Sequence, residues 1–395
     1  MGSRTVDCPT IDVDLWADDV LADPYPTYAE LRELGAVLYT PQWDAFVLPR
    51  YDEVRAVLQD WQTFSSAQGV GLNARANAMA GRGILTTDPP LHDTRRKVLN
   101  AQLVPREVGR HHDFLVAEAE RLVGELVRRG TFEAMRELAE PYSVGVVADL
   151  CGLPTEGREH LVRRASAAFD TFGPDNARSR AAWPGFQELF EYARHEGAPP
   201  NLTPGRWGTE IYAAAADGEI EPEACPGLML AYVWAGMDTT VNALGAAVSL
   251  FADHPDQWDR LRADRSLLAS AVNEVLRIEP PVQRFTRCAT RAVELGGVTL
   301  PEGARLAVLF GSANRDPRRF ADPDRFDIGR NPTDHLSFGR GVHRCVGAGL
   351  AQEEMKAVIA SLADRVARFE VGARVWRRNN ALHGLERLDV SVVPA

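Results

Sequence analysis

From Ala224 to Phe251 the sequence keeps a helical period and is apolar throughout, except for Ala235-Gly236-Met237-Asp238-Thr239-Thr240 in its middle. A helix this apolar has to be surrounded by other elements, so it demands a large, mostly helical protein. The polar interruption is costly. Glycine destabilises a helix interior by about 1 kcal/mol relative to alanine, and a threonine hydroxyl can bond a preceding carbonyl and bend the helix. An exposed polar stripe would account for such residues, but Trp234, Ala235, Val241 and Leu244 surround the same turn and argue for its burial.

The rest of the chain fits that demand. Further helical periods run from Tyr51 to Gln59, His111 to Arg129, Pro255 to Arg262, Leu267 to Arg277 and Val346 to Phe369. Shorter β-type runs lie at Ala36 to Leu48, at Ala292 to Leu309 with a Gly296-Gly297 turn, and at Leu388 to Val393. The expected architecture is mainly α with a small β-rich portion. No linker, internal repeat or low-complexity tract divides the sequence, which reads as a single domain over residues 1–395.

A formal net charge of -11 repels phosphate backbones and argues against nucleic-acid binding. The N-terminal stretch MGSRTVDCPTIDVDLWADDV has neither the basic start nor the apolar run of a signal peptide or membrane anchor, which makes the cytoplasm the expected location. The five cysteines, Cys8, Cys151, Cys225, Cys288 and Cys345, are scattered, odd in number and never in a CxxC pair, so neither a disulfide framework nor a zinc site is indicated. Four of them read as small buried apolar residues.

Cys345 stands apart through its neighbours. The segment from Ala313 to Leu336 is rich in Pro, Asp and Arg and reads as a long ordered loop, a kind of segment that is usually functional. It leads into Phe338-Gly339-Arg340-Gly341-Val342-His343-Arg344-Cys345-Val346-Gly347, where glycines let the backbone approach something flat and the cysteine directly precedes a helix. The positive end of that helix dipole favours a thiolate by roughly 0.3 to 1 kcal/mol at an exposed site, and by more when buried. Read alone, a cysteine beside a glycine turn is more often structural.

The segment resembles the heme-binding loop of the cytochrome P450 family, Phe-Gly-x-Gly-x-His-x-Cys-x-Gly, at every fixed position. The resemblance implies heme b (iron protoporphyrin IX) with Cys345 as its axial ligand, Phe338 and Gly347 in the surrounding loop, and His343 directed at a propionate. It also implies that Glu274 and Arg277 are buried together behind the loop with Arg325 as a third member. Asp238 and Thr239 match the family's acid-alcohol pair and would relay protons during activation of dioxygen (O2), with Gly236 opening a groove. His92, Arg96 and Arg287 fall where the family places further propionate partners, for which an arginine fork is suited. No flavin or nicotinamide fingerprint is present, so electrons from NAD(P)H would arrive through a ferredoxin reductase and an iron-sulfur ferredoxin. Arg340 and Arg344 flank the cysteine on the side such an acidic partner would approach.

Within the family the chain resembles bacterial members that oxidise para-substituted benzoates, including by O-demethylation. The shared stretches include Gly157-Arg-Glu-His-Leu161, Phe169-x-x-Phe-Gly-Pro174, Asn201-Leu-x-Pro204, Thr239-Thr-Val-Asn242 and the run from Gly311 to Arg319. The resemblance implies a small aromatic substrate held by Ile84, Leu85, Phe169, Phe172, Ala235, Val282 and Phe285; spacing alone would make Phe169 and Phe172 plain helix core. The chain departs from those relatives around the substrate carboxylate, where it carries Met79, Arg82 and Ala231. Either Arg82 takes over the carboxylate or the substrate has none. A carrier-tethered substrate, direct use of peroxide, and a non-catalytic heme sensor or electron carrier are the competing functions.

Overall fold

The computed structural model describes residues 8–81 and 83–395. The first seven residues of the stretch read for a leader, and Arg82, lie outside the described residues. The apolar run forms one continuous helix, Cys225–Asp253, buried along most of its length. Around it pack the helices Glu140–Cys151, Leu161–Thr171, Ala177–His195 and Ala348–Arg365 and the C-terminal strands. The threonine hydroxyls of its polar turn bond within the helix: Thr239 Oγ1 donates to the Ala235 carbonyl (2.7 Å) and Thr240 Oγ1 to that of Gly236 (3.3 Å).

The β portion comprises a five-stranded sheet in the spatial order Leu38–Thr40, Ala45–Leu48, Arg305–Leu309, Arg284–Ala289, Phe64–Ser65, a three-stranded sheet at the C-terminus, and the small hairpin Val293–Leu295 with Val298–Leu300. In the first sheet Ala45–Leu48 pairs parallel with Arg305–Leu309 and the other pairs are antiparallel. Two elements differ from the sequence expectation. The final helix stops at Arg365 and residues Val366–Arg378 are a strand: the i, i+3 spacing of Val366 and Phe369 suits a helix, and pairing with His383–Pro394 overrides it. Strand Arg284–Ala289 escapes a polarity reading because two of its arginines are buried; Arg284 donates to the Leu15 carbonyl (2.6 Å) and the Tyr28 hydroxyl (2.9 Å).

The long loop is ordered without helix or strand, pinned from behind. Arg277 donates to both oxygens of Glu274 (2.7 and 2.8 Å), to the Asn314 carbonyl (2.9 Å) and to the Pro323 carbonyl (2.7 Å), with both side chains fully buried. The third side chain is Arg330, whose Nε lies 3.1 Å from Glu274 Oε1. This corrects the expectation for Arg325, which supplies its carbonyl to Arg277 Nη2 (3.3 Å) while its guanidinium faces solvent. Spacing within the loop does not say which of its arginines turns inward.

His383, on the last strand, stacks on Trp376 (centroids 4.4 Å, planes 12° apart) and is buried, which holds its imidazole down at about 4. The unfolded chain takes up that proton near pH 6.5, so the stabilisation is whole above that pH and falls by up to ~1.4 kcal/mol per pH unit as acid is added toward the folded value. His383→Asn is expected to flatten the acid limb of urea midpoint against pH between 6.5 and 4.5; an unchanged slope would contradict this assignment.

Candidate active site

A cavity of about 260 Å³ lies between the central helix and the segment Phe338–Ala351. Cys345 opens onto it. The cysteine N–H donates to the Phe338 carbonyl (2.8 Å), and Gly339 and Gly341 take the left-handed φ values of 63° and 67° that turn the chain back. A side chain at Gly341 would also meet the Leu58 carbonyl at 2.5 Å. The helix proper begins at Ala348, after Gly347. Burial pushes the thiol up, opposed by the backbone N–H groups of Gly347 and Ala348 and by Arg96 and Arg344.

Beside the cysteine lie His92, Arg96, Arg287 and His343, all lining the same cavity. Arg287 is buried, which lowers its guanidinium to about 10, and among the described residues it forms no ion pair; one Nη donates to the Thr286 carbonyl (2.8 Å). His92 is buried with its Nε2 unpartnered and its ring 4.5 Å from that of His343. Buried cations and donors without acceptors are costly, so this corner is built for an anionic partner. A flat group with a metal at its centre and carboxylates at its edge, such as heme, fits both the cysteine and this corner.

Sequence reasoning missed Asp88 here. It lies 3.3 Å from His343 Nε2 and accepts from Ser65 Oγ (2.5 Å) and the Ser66 N–H (3.2 Å). Its only sequence signal is its place before Pro89-Pro90, four residues ahead of His92. Glu354 was also missed: it lines the cavity, is buried, and burial pushes its carboxyl well above the usual range.

The opposite wall is apolar. Ile84, Leu85, Phe169, Ala235, Val282 and Phe285 line it as expected, together with Ala231 and Gly236. Phe172 does not reach the cavity. It stacks behind Trp234 (centroids 5.0 Å, planes 11° apart), which does, and this corrects its place in the substrate set. Met79 likewise packs against the core without lining the cavity, while Arg82 lies outside the described residues. Thr239 faces the cavity, but Asp238 is turned to the far side of its helix, fully buried, 3.2 Å from Arg377. Arg344 is exposed and borders the cavity on the cysteine side. No helix is long and apolar enough to cross a membrane among the described residues.

Residues 215–373 match the family model for cytochrome P450. Over 392 residues the chain is 44% identical to cytochrome P450 CYP199A2 of Rhodopseudomonas palustris, covering 98% of this chain and 95% of that protein. It is 32% identical over 412 residues to the cytochrome P450 monooxygenase PikC of Streptomyces venezuelae, covering 98% of this chain and 95% of the relative. Among solved structures it is similar to Mycobacterium marinum cytochrome P450 CYP268A2 in complex with pseudoionone, with a TM-score of 0.87, 26% identity, and coverage of 97% and 99% of the two chains.

Proposed function

The chain belongs to the cytochrome P450 family of monooxygenases, and from that premise we propose that it inserts one oxygen atom from O2 into a small aromatic substrate, by hydroxylation or by oxidative O-demethylation of a para-substituted benzoate or related aryl ether. The observation that carries the reading is a cavity lined by the Cys345 thiol and the basic residues His92, Arg96, Arg287 and His343, and also by apolar side chains that include Phe169 and Phe285. The shared stretches with benzoate-oxidising relatives support the substrate class. The whole chain acts as one domain in this account.

Heme held here through Cys345 would supply dioxygen activation, which a thiolate ligand promotes. The chain's own residues do the rest. His92, Arg96, Arg287 and His343 would hold the propionates of the group. Ile84, Leu85, Phe169, Ala235, Val282 and Phe285 exclude water and orient the ring, as apolar pockets with few polar groups do. Thr239 presents a hydroxyl to the cavity and Asp238 stands behind it as the proton source. Electrons come from NAD(P)H through a ferredoxin reductase and an iron-sulfur ferredoxin, which Arg340 and Arg344 meet on the cysteine side. With an aryl methyl ether, hydroxylation of the methyl carbon gives a hemiacetal that loses formaldehyde.

Titration of the ferric, heme-loaded protein with para-substituted benzoates, methoxyphenols and uncharged aryl ethers is expected to move the Soret band from low spin to high spin for one of these classes. No shift with any of them would discard the aromatic substrate. Asp238→Asn is expected to lower turnover by about a hundredfold or more while leaving that shift in place, in line with the usual contribution of a positioned proton donor. Wild-type turnover in this variant would remove Asp238 from the relay.

A further inference from the structure

Two polar hydrogens on the central-helix side of the cavity have no acceptor among the described residues. Trp234 and Tyr232 both line the cavity and are only 8% and 5% exposed, and the Trp234 Nε1 and the Tyr232 hydroxyl are buried without a hydrogen-bond partner. Buried donors are almost always paired, so a donor of this kind on a cavity wall calls for an acceptor from a bound molecule.

The two donors face different ways. Two residues apart on one helix, they are turned by about 200° from each other. Tyr232 packs on Trp207 (centroids 5.6 Å), and Trp234 on Phe169 and Phe172 (5.1 and 5.0 Å). Along the helix Gly227, Ala231, Ala235 and Thr239 recur at every fourth residue and all line the cavity. Before Thr239 none of them is larger than a methyl group, which leaves room for a flat ring against the helix. Trp234 borders this stripe on the Phe169 side, and its orientation is fixed. Phe172 is stacked on one face with planes 11° apart, so the indole can present only its other face and its edge, and the edge carries the N–H. Trp234 lies five residues before Thr239, about 7.5 Å along the axis, close to the length of a benzene ring with its two para substituents.

We propose that Trp234 selects the substrate: its indole N–H donates to an uncharged acceptor, such as the carbonyl of a ketone, ester or amide, at the end of the ring para to the group oxidised beside Thr239. The inference rests on the reading of the substrate as a small para-substituted aromatic, and within it chooses the uncharged aryl ether over the benzoate. An indole N–H is a donor without charge, and one such donor does not offset the burial of a carboxylate. The cations that line the cavity among the described residues, His92, Arg96, Arg287, His343 and Arg344, belong to its Cys345 side.

The test titrates the ferric, heme-loaded, full-length protein with para-substituted methoxybenzenes of similar shape, read by the Soret shift. 4-Methoxyacetophenone and 4-methoxybenzamide carry an uncharged acceptor, 4-methoxytoluene carries none para to the ether, and 4-methoxybenzoate carries a charge. The first two are expected to bind about tenfold or more tightly than the other two, the margin set by a buried donor that gains or lacks its acceptor. Trp234→Phe keeps an aromatic ring against Phe172 and is expected to bring 4-methoxyacetophenone and 4-methoxytoluene to within about twofold of each other, with heme content as the check on folding. Trp183→Phe is the control and should keep the preference, since the Trp183 N–H is also buried and unpartnered but the residue does not line the cavity. Should Trp234→Phe lose its heme, the ranking in the wild-type protein still decides: 4-methoxybenzoate or 4-methoxytoluene binding as tightly as 4-methoxyacetophenone overturns the inference. A preference that survives in Trp234→Phe overturns it as well, and its loss in Tyr232→Phe would then move the donor to the other flank. In each of these cases the aromatic reading stands. No Soret shift with any of these compounds discards that reading, and the inference falls with it.

Discussion

Replacing Cys345 by serine is expected to abolish the thiolate-type carbon monoxide spectrum and to lower turnover by more than about a hundredfold, because even partners one step removed from a metal cost 10 to 100-fold. Serine keeps the backbone hydrogen bond to Phe338 and nearly the same volume, and the side chain at this position opens onto the cavity rather than into packed core. Stability should therefore change by no more than about 0.5 kcal/mol, as for other substitutions that leave packing intact. Spectrum and urea midpoint measured on the same preparation separate loss of the ligand from loss of the fold. Cys288→Ser serves as the control, since Cys288 is buried in the sheet and away from the cavity. A thiolate-type spectrum that survives in Cys345→Ser would remove this residue from the iron.

The largest loss of stability is expected from Arg277→Ala. The variant leaves Glu274 fully buried with Arg330 as its remaining cation, and strips hydrogen bonds from the carbonyls of Asn314 and Pro323 that hold the loop before the cysteine. Breaking a buried pair in this way costs about 3 to 5 kcal/mol. Arg330→Ala should cost less, because its guanidinium is partly exposed and Arg277 still faces both carboxylate oxygens. Arg325→Ala should stay within about 0.5 kcal/mol, as its side chain faces solvent and only its carbonyl is used. Urea midpoints of the three variants decide the matter; an Arg325 variant as weak as Arg277→Ala would return Arg325 to the network. Heme retention should follow the same order, since the loop that the network pins leads directly to Cys345.

Which parts of this architecture could be read in advance follows from how local each signal is. The central helix declares itself because its apolar period is long, and the cysteine turn because Phe338, Gly339, Gly341, His343, Cys345 and Gly347 together match the family's loop at every fixed position. The corner formed by His92, Arg287 and His343 was legible only through the resemblance, since these residues come from separate parts of the chain and meet only once it has folded. What stayed hidden are choices made by tertiary contact. Arg330 turns inward and Arg325 outward in the same arginine-rich loop; Phe172 backs Trp234 instead of facing the cavity; Arg377 reaches Asp238 from far along the sequence. Each belongs to a residue type that is solvated or packed in most settings, and composition and period carry no information about which partner it finds.

The central assignment is Cys345 as the thiolate ligand of a bound heme. The carbon monoxide difference spectrum of the reduced, heme-loaded wild-type protein tests it directly. A Soret band at the red-shifted position characteristic of thiolate ligation is the predicted result, and a band at the position given by imidazole ligation would contradict the account.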